Sequence, residues 1–280
     1  MSQISGKTAF ITGAASGIGR ATSLAMAQEG ATALILLDIN SEGLKKTASE
    51  IERMGTKVRT VLADVTDFAQ VKKAVDEAID FAGKIDFLLN IAGVASMAPI
   101  ENFEISDWER IIKVDLWGPI NTVNALYPHM VEKKSGHVVN VASISGLWAD
   151  QIYIAPYLTA KFGVVGLCEG LKAESFLHGI KVTCVCPGMV QTPIWEASPL
   201  KGFREDVRKL VKYFALLGEK PENTAQTIIK AIKKDKYIQV TTPFQRVHYA
   251  LRRHFPRLFN TGARVFFRFM AYALEKYREK

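Results

Sequence analysis

The sequence predicts a three-layer α/β/α fold built on a doubly wound parallel sheet. Three observations predict it. Short apolar runs alternate with amphipathic stretches of helical spacing along most of the chain. A glycine cluster separates the first run from the first amphipathic stretch. The 280 residues, 48% apolar and 23% charged, have ordinary globular composition and a length that one α/β unit can occupy.

Residues 7–12 (KTAFIT) read as a buried strand, and residues 18–28 as a helix closed by Gly30. Residues 33–38 (ALILLD) form the second strand. Residues 41–54 form an amphipathic helix with Ser41 as N-cap. Strands at 58–63 and 85–91 flank a helix at 67–82. A long helix is expected at 107–129, a strand at 136–143, a helix at 157–178 and a strand at 181–186. A helix at 222–234 and a strand at 237–241 end the alternation, which divides the chain into one main domain at 1–243, with a lid expected at about 189–220, and an extension at 244–280.

The net charge is +8, yet residues 244–280 alone hold nine Lys and Arg against two Glu, so the body is nearly neutral. Cys168, Cys184 and Cys186 each lie in an apolar stretch and read as buried thiols of a reducing compartment. Cys184 and Cys186 are expected on opposite strand faces, and no metal site is expected. The start of the chain lacks a basic segment followed by an apolar one, and no uncharged run is long enough to span a bilayer, so a cytoplasmic protein is expected.

Gly13, Gly17 and Gly19 bracket the turn between the first strand and helix. Glycines there let backbone approach a pyrophosphate, and the helix N-terminus supplies positive potential, the arrangement of a Rossmann dinucleotide site. Asp38 ends the second strand 19 residues past Gly19. Its carboxylate would accept hydrogen bonds from ribose hydroxyls and repel a 2′-phosphate, which favours NAD over NADP; a helix cap or a surface carboxylate is the alternative. Arg20 runs against this, because a nearby cation tolerates a phosphate.

Tyr157 and Lys161 stand four apart on a predicted helix and share a face. An ammonium beside a phenol favours phenolate, and thus proton transfer near neutrality. The pair alone equally fits a core tyrosine beside a solvated lysine.

Taken with the other motifs, the chain resembles the short-chain dehydrogenase/reductase (SDR) family over roughly residues 5–195, and more loosely to about 242. The resemblance rests on Gly13, Ser16, Gly17, Ile18 and Gly19; on Asp64-Val65; on Asn90-Ile91-Ala92-Gly93; on Ser143 after Asn140; on Tyr157 and Lys161; and on Pro187-Gly188 with Thr192. It implies a nicotinamide-dependent oxidoreductase. Tyr157 acts as general acid/base, Ser143 holds the substrate oxygen, and Lys161 binds the nicotinamide ribose and lowers the Tyr157 pKa. The cofactor contacts it implies are Gly13, Ser16, Gly17, Ile18, Gly19, Asp38, Ile39, Asp64, Val65, Asn90, Ala92, Gly93, Tyr157, Lys161, Pro187, Gly188, Val190 and Thr192. Two positions depart from the family pattern. Ile91 replaces an asparagine, and Asp115 stands where asparagine is usual, its main-chain carbonyl implied to hold a water in a proton relay to Lys161. A carboxylate there would hold the ammonium tightly and oppose phenolate formation. A homodimer or homotetramer is also implied.

Substrate contacts are expected from Ser143, Ser145, Trp148, Tyr153, Tyr157 and Trp195, within stretches 95–100, 145–154 and 189–214. Trp148, Tyr153, Trp195, Phe203 and Phe214 suit a lipophilic alcohol or ketone, or pack in the core or at a subunit contact. The alternatives to turnover are a silent NAD-binding redox sensor or scaffold; epimerisation or dehydration would use the same site. In the extension, Arg252, Arg253, Arg257, Arg264 and Arg268 interleave with Phe255, Phe259, Phe266 and other apolar residues. Such a stretch packs on its own or a partner subunit, or lies on an anionic membrane surface; no nucleic-acid motif accompanies it.

Overall fold

Seven apolar runs become seven strands: β1 (Thr8–Thr12), β2 (Ala33–Asp38), β3 (Lys57–Leu62), β4 (Phe87–Asn90), β5 (Gly136–Val141), β6 (Ile180–Cys186) and β7 (Ile238–Val240). A computed structural model of the chain describes residues 2–148 and 151–255 and, beyond them, residues 257, 262, 268, 271, 272, 274, 277 and 278. The strands form one parallel sheet in the order β3-β2-β1-β4-β5-β6-β7.

Parallel neighbours require crossovers, and helices supply them on both faces. Helices α1 (Gly17–Gln28), α2 (Ser41–Glu52) and α9 (Pro221–Lys233) cover one face; α3 (Phe68–Ala82), α5 (Gly118–Glu132) and α6 (Ala155–Ser175) cover the other. Alternate strand residues feed the two cores. Ala9, Ile11, Leu34 and Leu36 meet the first layer, whereas Phe10, Ile35 and Leu37 meet the second. The winding reverses between β1 and β4, which leaves a crevice at their carboxyl ends.

Local chemistry sets the element ends. Asp67 caps α3 by accepting the Ala69 and Gln70 N–H groups at 2.9 and 3.1 Å. The cap of α2 is Asn40, whose side chain accepts the Gly43 N–H at 3.0 Å, and not the expected Ser41, which is the first helical residue. The expected helix at 107–129 is interrupted. It comprises α4 (Ile105–Ile112), a π-turn (Lys113–Trp117) and α5. Pro119 has no N–H to donate to the Asp115 carbonyl, so the regular ladder stops there. Cys184 and Cys186 also differ from expectation. Strand period two returns both to the same face, and their Sγ atoms lie 3.8 Å apart in the core that also holds Cys168.

Two short helices, α7 (Ile194–Ala197) and α8 (Val207–Leu216), lie within residues 189–220, and α10 (Pro243–His254) follows β7. His248 and Tyr249 of α10 stack on Trp148 with ring centroids 5.0 and 6.0 Å apart. Near the end of the chain, described residues return to the 203–207 segment and to Glu101. Leu274 packs with Phe203 and Val207, the Arg204 N–H donates to the Tyr277 carbonyl at 2.7 Å, and Arg278 pairs with Glu101. The expected tail residues Phe259, Arg264 and Phe266 lie outside the described residues.

A buried polar chain ties the layers together. The Asn90 amide donates to Asn140 Oδ1 at 2.8 Å, and the Thr122 hydroxyl donates to Asn90 Oδ1 at 2.6 Å. Thr122→Val leaves that oxygen buried without its donor. We expect it to destabilise the protein by about 1–3 kcal/mol, seen as a lower urea midpoint at unchanged slope.

Candidate active site

The crevice encloses about 490 Å³. Gly13, Ser16, Gly17, Ile18 and Gly19 form one wall, Asp38 and Ile39 the next, and Asp64 and Val65 follow. Gly13 adopts φ 70°, and a Cβ there would stand 2.7 Å from the Ala92 nitrogen. At Gly19 a Cβ would meet the Gly13 carbonyl oxygen at 2.0 Å. Both glycines are therefore required for the β1–α1 turn to fold against the β4 loop. Ser16 makes no side-chain cap to α1, so the first helical N–H groups face a cradle suited to an anion.

Asp38 sits where the sequence placed it. Its Oδ2 accepts the Ala15 N–H and its Oδ1 the Asn40 N–H, each at 3.0 Å. Arg20, the residue that ran against an NAD reading, is held away by Glu50, whose two oxygens accept its guanidinium at 2.6 and 2.7 Å. Arg20 does not line the crevice. The residues present thus fit a dinucleotide: a glycine cradle at a helix start and a carboxylate at the end of β2.

Ser143 follows β5, where its Oγ accepts the Ser145 N–H at 3.1 Å. The first turns of α6 carry Tyr157 and Lys161 into the same crevice. Tyr157 shares a hydrogen bond with the Ser143 side chain. The Lys161 ammonium lies 5.4 Å from the Tyr157 ring centroid and donates to the Val141 carbonyl at 3.3 Å. It is also 3.0 Å from Asp115 Oδ2. Asp115 is fully buried behind Gly93, and its Oδ1 accepts the Val94 N–H at 2.8 Å.

Electrostatics in this cluster oppose one expectation. Burial pushes the Tyr157 hydroxyl above its ordinary pKa. Lys161 and the Ser143 hydrogen bond act to lower it, and Asp115 adds to the rise. The ammonium works in the anticipated direction but is outweighed, so the phenol is favoured over phenolate. Burial alone would lower Lys161, yet the Asp115 and Tyr157 charges outweigh it and hold the ammonium above the usual lysine value. Burial raises the Asp115 carboxyl, against the pull of Lys161 and the Val94 N–H.

Pro187, Gly188, Val190, Thr192 and Trp195 also line the crevice. Asn90 does not line it; its side chain is the buried link between β4, β5 and α5, which leaves the Ala92-Gly93 backbone to face the cavity. Ser145, Trp148 and Tyr153 are also absent from the lining. Ser145 donates to Gln151 Oε1 at 2.7 Å. Trp148 is 1% exposed beneath α10. Tyr153 takes a positive φ of 67° and packs edge-on against Phe203 at 5.2 Å. Within the expected stretch 145–154, residues 149 and 150 lie outside the described residues. The sequence reading missed Asn40 and Val94, which do line the crevice, whereas Pro193 and Ile194 fall in the expected stretch 189–214. Asn40 and Val94 are each a neighbour of a motif residue, and that adjacency was the available signal.

A family profile described as short chain dehydrogenase matches residues 7–201. The chain is 37% identical over 229 residues to 3-oxoacyl-[acyl-carrier-protein] reductase FabG of Thermotoga maritima, a span of 81% of this chain and 90% of that one. It is 38% identical over 198 residues to (2S)-[(R)-hydroxy(phenyl)methyl]succinyl-CoA dehydrogenase subunit BbsD of Thauera aromatica, covering 71% and 79% of the two chains. Among solved structures, a short chain dehydrogenase/reductase from Burkholderia phymatum in complex with NAD superposes with a TM-score of 0.84. That pair is 27% identical over 92% of this chain and 96% of that one.

The carboxylate of Asp115 generates a test. Asp115→Asn removes a negative charge that disfavours phenolate, so the Tyr157 hydroxyl titrates at lower pH. The alkaline limb of the kcat/KM profile is expected to move to lower pH with activity retained. Total loss of activity, or a limb that moves upward, would contradict this assignment.

Proposed function

Because this chain belongs to the short-chain dehydrogenase family, we propose that it is an NAD(H)-dependent oxidoreductase that interconverts a lipophilic secondary alcohol and its ketone. The observation that carries the reading is the convergence of Ser143, Tyr157 and Lys161 on one wall of a crevice whose other wall is a glycine cradle. When bound, the dinucleotide accepts or supplies the hydride at its nicotinamide.

The chain's own residues handle the proton and the oxygen. In reduction, the Tyr157 hydroxyl donates its proton to the ketone oxygen, and Ser143 donates a hydrogen bond to that oxygen as charge develops. In oxidation, Tyr157 recovers the proton from the alcohol. Lys161 steadies the phenolate with its ammonium and is itself oriented by Asp115 and the Val141 carbonyl. The raised Tyr157 pKa keeps the hydroxyl protonated near neutrality, the form that serves reduction.

Asp38, with Arg20 occupied by Glu50, supports NAD over NADP. A solved relative described in complex with NAD supports the same choice. Val94, Val190, Ile194 and Trp195 give the crevice an apolar end that suits a lipophilic substrate. Two relatives are named for an oxo or a hydroxy group on an acyl chain, which supports alcohol–ketone chemistry. Exposed Trp117, Phe162, Phe176 and Leu177 support the expected homo-oligomer. Among the described residues no helix is long and apolar enough to cross a membrane.

Turnover of a panel of hydrophobic secondary alcohols and ketones, followed by NADH absorbance, tests the reading. Tyr157→Phe is expected to lower kcat by about 10²–10⁴-fold while NADH binding is kept; full activity in that variant removes Tyr157 as the acid/base. Wild-type protein that binds NADH yet turns over nothing in the panel would favour a cofactor-sensing role. Asp38→Ala is expected to erode the preference for NADH over NADPH, measured as the ratio of their kcat/KM values. An unchanged ratio would show that another group selects the cofactor.

A further inference from the structure

We propose that α10 seats this protein on an anionic lipid surface. Phe244, Val247 and Leu251 recur at helical spacing along one stripe of α10 and are 79%, 59% and 45% exposed, and the C-cap Phe255 is 58% exposed. The helix cannot roll this stripe inward, because its adjoining face is already committed. His248 and Tyr249 stack on Trp148. Gln245 fills the space over Gly188 that a Cβ would occupy. Arg246 donates to the Val240 and Thr241 carbonyls at 2.7 and 3.0 Å.

Charge selects the occupant. From Lys236 to Leu274 the chain has seven Lys and Arg and no Asp or Glu. Arg253 and His254 are exposed on α10 itself. A continuous apolar stripe in an acid-free, cationic segment suits a bilayer interface, where the apolar side chains enter the acyl boundary and the cations meet anionic headgroups. Gly188, the contact of Gln245, lines the crevice, so α10 would hold the crevice close to a membrane from which a lipophilic substrate partitions. Binding to lipid does not require the proposed turnover, so the two readings fail separately.

Flotation of the full chain with phosphatidylcholine vesicles, with and without phosphatidylglycerol, tests the proposal. The protein is expected to float only with vesicles that contain phosphatidylglycerol, and added salt should release it. Leu251→Asp should abolish flotation, and Arg253→Ala should weaken it about fivefold. Unchanged NADH binding in both variants would establish that the catalytic body is intact. Absence of flotation, equal flotation without phosphatidylglycerol, or wild-type behaviour of Leu251→Asp would overturn the proposal. So would concentration-dependent self-association that Leu251→Asp removes in a protein that does not float, because a second copy would then be the occupant.

Discussion

Lys161 carries an ammonium that is 4% exposed, and a cation so placed persists only if its surroundings replace the water it has lost. Asp115 supplies the opposite charge, the Val141 carbonyl accepts a hydrogen bond, and the Tyr157 ring lies alongside. Removing one member of such a buried pair costs about 3–5 kcal/mol, because the remaining charge is left uncompensated. Four segments must therefore meet at this one point: the end of β5, the start of α6, the π-turn before α5 and the loop after β4. The geometry of the crevice follows from that requirement. Ser143 and Tyr157 leave the same β5 end and α6 start that hold the ammonium, and Gly93 admits the Asp115 carboxylate because it has no side chain to exclude it.

The same cluster sets the protonation of the site. Burial and the Asp115 charge act together on Tyr157, and the ammonium acts against them. A phenol in these surroundings keeps its proton, so the group rests in the protonated form from which reduction starts. A bound oxidised nicotinamide would add a second positive charge beside Tyr157, acting in the same direction as the Lys161 ammonium.

Much of the site was legible because its chemistry constrains residue type at fixed local spacing. A helix start pressed against a turn accepts only glycine at Gly13 and Gly19. A phenol and an ammonium on one helix face must stand a turn apart, as Tyr157 and Lys161 do. Asp38 was legible because it ends a strand just before a helix. Residues whose partners are distant in sequence were not. Asn90 looked like a cavity residue, but its amide is taken by Asn140 and Thr122, 50 and 32 positions away. Trp148 and Tyr153 are aromatic residues in a loop, and such residues pack into whatever surface the loop crosses. For Trp148 that surface is α10, and for Tyr153 it is Phe203.

By itself the sequence determined the local physics. It set the alternation of buried strands and amphipathic helices, the glycine turn, the Tyr–Lys spacing and the concentration of positive charge in the last part of the chain. The tertiary structure decided what depends on non-local packing. It broke the helix at the π-turn before Pro119, enclosed Asp115 against Lys161, put Cys184 and Cys186 side by side in one core, and brought Leu274 and Arg278 back onto Phe203. The division has a physical reason. Backbone sterics and residue periodicity act over a few neighbouring positions, whereas burial, and with it every pKa in the crevice, depends on segments that meet only when the sheet has formed.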